Sequence, residues 1–299
     1  MDKYLRILEK TGPLTGKDFV RETGLTTFAA WRFCAGSDWV INKIIGRRYL
    51  RLDLKVEGYA RLSPSIMREF LNYTVVGISE DSAAIDQLAK SIEEEITSIS
   101  ARKINLARDT VDRLLINQPD RHTIINKTCF IIAGDVVFGM AHAEPRPEFS
   151  TGELVKGSDL DIITVTDNLP EKLLESLDAL LYREKYNLLM NPVSKEEIDY
   201  IVKDLKTVEE QLAFNDFKKM VASKILEEGQ YLFGNRVLFD HIKTMVAERG
   251  IPEKVSRLEE KATQDRVRAE KVLLEASESA DHDELMALFY TTEEKEEIF

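Results

Sequence analysis

Asp159 and Asp161 lie two residues apart in the segment Lys156-Gly157-Ser158-Asp159-Leu160-Asp161-Ile162-Ile163-Thr164-Val165. In an extended strand, side chains at i and i+2 leave the same face. The two carboxylates would then stand side by side while Leu160 and Ile162 enter a core. Paired carboxylates on a rigid strand suit Mg²⁺ (or Mn²⁺), a hard cation held through oxygen ligands and substrate phosphates. The chemistry such a pair serves is metal-dependent transfer of a nucleotidyl or phosphoryl group. A solvent-facing polar strand start is the alternative, and the apolar run that follows argues against it.

Other elements must hold that strand in place. Lys127-Thr128-Cys129-Phe130-Ile131-Ile132-Ala133 reads as a buried strand closed by Gly134-Asp135. The Pro- and Glu-containing stretch 143–157 reads as a loop, and the aspartate strand covers 159–165. A helix runs from about Asn168 to Tyr182. Ile198-Asp199-Tyr200-Ile201-Val202 reads as a third strand, and Phe217 to Glu228 as a helix stopped by Gly229. Beyond Gly234 the pattern is mostly helical, broken at Gly250-Ile251-Pro252, and the acidic end, Thr292 to Phe299, is expected to fray.

Upstream, residues 2–10 have helical spacing and Gly12-Pro13 breaks them. Thr15 can cap a helix to about Glu22, and Thr26 or Thr27 opens the next, to about Ala35. Residues 39–45 and 48–52 read as two strands of a hairpin turned at Gly46-Arg47. Glu80 to Asn117 contains neither Pro nor Gly and carries apolar residues at helical intervals, so one long helix or two end to end are expected. Trp31 and Trp39 read as core.

Composition narrows the class. The chain has 299 residues and is 43% hydrophobic, enough for two or three packed domains. It has no apolar run of the ~20 residues that span a bilayer and no signal-peptide core at its start, so no membrane association and a cytoplasmic location are expected. Cys34 and Cys129 read as buried thiols, and the scattered histidines as surface or packing residues. Residues 1–70 carry 13 Lys/Arg against 8 Asp/Glu, while the whole chain has a net charge of −12. A basic head therefore precedes an acidic body that repels nucleic acid except through a metal or a local basic patch.

A strand ending at Gly134, an Asp-x-Asp strand and a third strand carrying Asp199 together resemble the DNA polymerase β-like nucleotidyltransferase superfamily. The resemblance covers about residues 108–234, and Gly157-Ser158-Asp159-Leu160-Asp161 is its most specific part. Residues 222–234 are similar to the close of small members of that family. The resemblance implies an NTP substrate, with Asp159 and Asp161 bridging two metals about 3.5–4 Å apart. It implies Asp199 as ligand of the nucleophile-side metal, with Glu197 the competitor for that place. Gly134, Asp135, Gly157 and Ser158 would lie against the nucleotide, although Asp135 stands where the family usually has Ser. Three helices followed by a hairpin likewise resemble a winged helix-turn-helix domain. There Arg32, Lys43, Arg47, Arg48 and Arg51 would meet DNA or RNA phosphates.

The expected class is α+β. It comprises a winged helix domain (1–75), a helical connector (76–117), a nucleotidyltransferase-type mixed sheet with flanking helices (118–234) and a helical C-terminal region (235–299). The long helix and the acidic tail offer surfaces for a homo-oligomer. A second reading is a DNA-binding regulator whose nucleotidyltransferase-like domain senses a nucleotide without turnover.

Overall fold

Hydroxyl and carboxylate caps start many of the helices in the computed structural model, which describes residues 3–148, 151–276 and 282–291. After α1 (Lys3–Thr11) and the short β1 (Leu14–Thr15), the Thr15 hydroxyl oxygen accepts from the Asp18 N–H and opens α2 (Gly16–Thr23). Thr26, the first of the two candidate caps, does the same for α3 (Thr27–Gly36). Then come β2 (Val40–Ile44), β3 (Tyr49–Leu52), β4 (Ala60–Ser63), α4 (Ile66–Tyr73), β5 (Thr74–Ile78) and α5 (Ser82–Ile116). The stretch without Pro or Gly is thus one continuous helix of 35 residues.

α6 (Arg121–Lys127), β6 (Thr128–Ala133), β7 (Pro145–Pro147), β8 (Leu154–Lys156) and β9 (Leu160–Thr166) follow. The chain continues with α7 (Glu171–Met190), β10 (Ile198–Asp204), α8 (Leu205–Gln211), α9 (Phe217–Glu228), β11 (Gln230–Gly234) and α10 (Arg236–Glu248). α11 (Ile251–Glu275) and α12 (His282–Phe289) complete the described elements. The class is α+β, with mixed sheets flanked by helices and a helical C-terminal stretch. The acidic end 292–299 lies outside the described residues.

The chain divides into two units, Met1–Glu95 with Leu258–Phe299, and Ile96–Arg257. The divisions fall within α5 and α11, so the expected connector 76–117 and C-terminal region 235–299 are each shared between units.

In the first unit, β1, β5 and β2 form an antiparallel sheet in that order, and β3 pairs only with β4. The expected hairpin of 39–45 with 48–52 is therefore not formed. β5 (Thr-Val-Val-Gly-Ile) is more apolar than the segment carrying Arg48 and Arg51, and Val75 and Val76 are both fully buried. The more apolar strand takes the central place, buried on both faces. The core gathers Phe19, Ala30, Trp31, Cys34, Ile66 and Phe70 with Leu273, Met286 and Phe289. Trp31 is in that core as expected. Trp39 is not: it precedes an edge strand and is 70% exposed. Both cysteines are buried and free. Burial pushes both thiols up, Cys129 to about 12.

The second unit is built on the sheet β10-β9-β6-β11. β10 runs parallel to β9, and β6 is antiparallel to both β9 and β11. α7 makes the crossover that a parallel pair requires. It runs past the expected end at Tyr182 to Met190, where Asn191 precedes Pro192. Leu160, Ile162 and Ile198 turn into a core with Phe130, Ile132, Leu177 and Leu181. The expected open loop 143–157 contains the antiparallel hairpin β7–β8. No helix among the described residues is long and apolar enough to cross a membrane.

Candidate active site

Register brings the predicted carboxylates together. Asp161 on β9 lies opposite Asp199 of the parallel β10 and opposite Ala133 of the antiparallel β6. Asp159, two residues before Asp161, shares its face, while Leu160 and Ile162 are buried on the other. One carboxylate oxygen from each of Asp159, Asp161 and Asp199 lies within 4.8 Å of the others. This clustered acidic triad has the all-oxygen donor set that suits a hard divalent cation. Glu197, the competitor for the third place, sits outside it, 2.8 Å from the Arg146 guanidinium.

Gly134 makes room for the triad. Its backbone has φ +77° and ψ −160°, a conformation close to glycine-only. A Cβ there would come within 2.1 Å of Asp161 Oδ2.

Charge is dense around the three aspartates. Burial raises the Asp159 carboxyl above its ordinary range; Asp135 and Asp199 push it the same way, and Arg146 opposes them. Burial also raises Glu197, again against Arg146. Lys185 Nζ lies 2.7 Å from Asp199 Oδ1. Burial alone would lower that ammonium. The hydrogen bond to Asp199, with the charges of Asp199, Glu197 and Glu148, carries it upward instead. The interacting carboxylates are thus Asp135, Glu148, Asp159, Asp161, Glu197 and Asp199, and the cations Arg146 and Lys185. With every carboxylate ionised, the formal charge is −4, equal and opposite to two divalent ions.

The residues expected on the nucleotide side already have hydrogen-bond partners. The Gly134 N–H donates to the Glu228 carboxylate, which is buried and paired with Lys224. The Gly157 N–H is turned to Val155 O (3.2 Å), and the Ser158 N–H donates to His142 O (3.1 Å). The Ser158 hydroxyl donates to Asp135 Oδ2 at 3.3 Å and accepts from the His142 N–H at 3.2 Å. Asp135 therefore belongs to the acidic side of the site. Gly157 is fixed by φ +64° and by His142 O, 1.9 Å from where a Cβ would stand.

Reading the sequence missed Arg146, Lys185, Lys224 and Glu228. Arg146 lies between two prolines on a three-residue strand, where no periodicity marks it. Lys185 falls beyond the expected helix end. Lys224 and Glu228 do carry a signal, the i, i+4 spacing of a helical ion pair.

The five basic residues expected to meet nucleic acid differ in their surroundings. Arg32 donates to Ala276 O at 2.7 Å, and Lys43 pairs with Asp86 at 3.2 Å. Arg48 donates to both oxygens of Glu69 (2.6 and 2.7 Å) and to Glu270 (3.0 Å), which draws it into an internal network with Arg266. Arg47 and Arg51 are exposed. A half-open cavity of about 240 Å³ lies beside this network in the first unit, lined by Trp31, Ile44, Phe70, Arg48, Glu69 and Glu270 among others. Neither a protein-family model nor a curated protein matches this chain.

Proposed function

We propose that the second unit is a metal-dependent nucleotidyltransferase domain of the DNA polymerase β-like kind. It would move a nucleoside monophosphate from an NTP to a hydroxyl acceptor and release pyrophosphate. One observation carries the reading: Asp161 on β9, Asp159 just before that strand and Asp199 in register on β10 converge within 4.8 Å, beside a glycine where an added Cβ would meet Asp161. Asp159, Asp161 and Asp199 would hold Mg²⁺ or Mn²⁺, which supplies charge neutralisation on the phosphates and activates the acceptor hydroxyl. Asp199 is the most exposed of the three and lies on the edge strand. In this reading it takes the hydroxyl proton, and the ion pair of Lys185 with its Oδ1 supports a fixed position.

We further propose that the first unit is a winged helix whose wing is interrupted by β3, β4 and α4, inserted between strands β2 and β5. The sheet order β1-β5-β2 behind α2 and α3 supports this. Nucleic acid as acceptor or docking partner is a proposal that rests on the basic head, where Lys43, Arg47 and Arg51 are exposed.

The second reading is a nucleotide sensor without turnover. The Asp135 carboxylate, held by Ser158 with its charge acting on Asp159, and the occupied N–H groups of Gly134, Gly157 and Ser158 favour it. Incubation of the full chain with each labelled NTP, Mg²⁺ and a panel of hydroxyl acceptors separates the two. Pyrophosphate release that disappears in Asp161→Asn supports the transferase. Nucleotide binding with no pyrophosphate under any acceptor supports the sensor.

A further inference from the structure

A polyphosphate at this site needs donors, and the backbone donors expected to supply them are already taken. Gly134, Gly157 and Ser158 give their N–H groups to Glu228, Val155 and His142, and the Ser158 hydroxyl goes to Asp135. Of the cations nearby, Lys224 is committed to Glu228 and lies over the Phe138 ring, and Lys185 is committed to Asp199. Arg146 is paired as well, but its guanidinium carries five N–H donors. It rises from the β7–β8 hairpin with a side chain only 14% exposed. Its Nε donates to Gly157 O at 2.9 Å, one Nη lies 2.8 Å from Glu197, and its charge acts on Asp159. The hairpin thus places a planar, permanently charged fork among carboxylates that a divalent cation would neutralise.

We propose that Arg146 couples the two ligands of the site: it competes with divalent cations for the carboxylates and, once they are neutralised, holds the polyphosphate of an NTP or of pyrophosphate. The inference rests on the transferase reading of the triad and names the residue that recognises the phosphate chain. A guanidinium drawn to Glu197 and Asp159 opposes the arrival of positive charge. Once metal neutralises Asp159, the same guanidinium has N–H donors beyond those given to Gly157 O and Glu197 with which to meet a phosphate oxygen. The coupling has opposite signs for the two ligands, and a merely structural arginine has no such signature.

The test uses the full chain, with Mn²⁺ binding and magnesium tripolyphosphate binding followed by titration calorimetry. Arg146→Gln is expected to tighten Mn²⁺ about three- to tenfold by removing a competing charge, and to weaken tripolyphosphate about ten- to hundredfold. Arg146→Lys keeps the charge but loses the fork. It is expected to leave Mn²⁺ affinity near wild type and weaken tripolyphosphate, and it serves if Arg146→Gln fails to fold. Loss of both affinities in Arg146→Gln with a cooperative melt retained, or unchanged tripolyphosphate affinity in either variant, overturns the proposal. Wild-type protein that binds Mn²⁺ but no tripolyphosphate overturns it while leaving the metal site standing. Wild-type protein that binds Mn²⁺ no better than Asp161→Asn overturns the triad reading itself.

Discussion

Replacing Gly134 by alanine tests the link between backbone geometry and the acidic triad. The residue has φ +77° and ψ −160°, and a non-glycine residue held there costs about 1–3 kcal/mol. The new Cβ would stand 2.1 Å from Asp161 Oδ2, whereas real Cβ contacts essentially never fall below 3.0 Å. The carboxylate must therefore retreat by about 0.9 Å, or the β6 end must shift by as much. For a unit of this size the strain alone lowers the melting temperature by about 2–12 °C, at 2–4 °C per kcal/mol. A displacement of that order at one of three ligands is expected to weaken Mn²⁺ binding about ten- to hundredfold. The comparison variant is Leu232→Ala, which opens the same core on the neighbouring strand at about 2–5 kcal/mol without touching a carboxylate. Thermal melts matched with Mn²⁺ titrations on both variants give the answer. If Gly134→Ala keeps wild-type Mn²⁺ affinity, or loses no more of it than Leu232→Ala does, Asp161 does not depend on this glycine and the geometry assigned to the triad is wrong.

Three other outcomes are expected. Lys185→Ala removes a mostly surface ion pair, so stability should change by less than about 1 kcal/mol, while Mn²⁺ binding tightens because Asp199 loses a competitor; calorimetry that shows weaker binding would contradict this. Asp159 and Glu197 have raised carboxyl pKa values in the fold, so the folded state binds protons more tightly than the unfolded chain. Their penalty is absent below the unfolded values of about 4 and grows as pH rises through the raised folded values. Wild type should thus lose stability relative to Asp159→Asn as pH rises from about 4, and Mn²⁺ should close the gap while releasing protons, seen in calorimetry across buffers of different ionisation enthalpy. Arg266→Ala leaves Glu69 and Glu270 to share Arg48 alone, one negative charge in excess, and should destabilise the first unit by about 3–5 kcal/mol, whereas Arg51→Ala should change its melt by less than about 0.5 kcal/mol.

The strands that carry the triad were legible because each is a local pattern. Cys129–Ala133 is an apolar run, and at the start of the next strand Asp159 and Asp161 alternate with the buried Leu160 and Ile162. The strand pairings of the first unit were not legible. β2 finds its partner some thirty residues later, and β5 outcompetes the nearer segment because it is more apolar. No local signal ranks two candidate strands for a central place. Trp39 was misread for a related reason: its apolar neighbours belong to an edge strand whose outer side faces water. Asp159 and Asp161 could be named from spacing and Asp199 from the family resemblance, but the hydrogen bond of Asp135 could not. It follows from Gly134 turning the chain and from Ser158 arriving 23 positions further along the sequence. Arg146 and Lys185 escaped notice because their roles depend on where a hairpin and a helix end, and ends are poorly marked in sequence.

The first unit closes its core with Leu273, Met286 and Phe289, and the Phe289 ring sits 5.2 Å from that of Phe28. During synthesis that core cannot be completed until residue 289 has left the ribosome, after the whole second unit has emerged. The later-made unit is therefore free to fold first, with the earlier one waiting half-built and exposing Trp31 and Phe28. A nonsense change or proteolytic cut near residue 255 would leave the triad's sheet intact and uncover the aromatic cluster at the opposite end of the sequence.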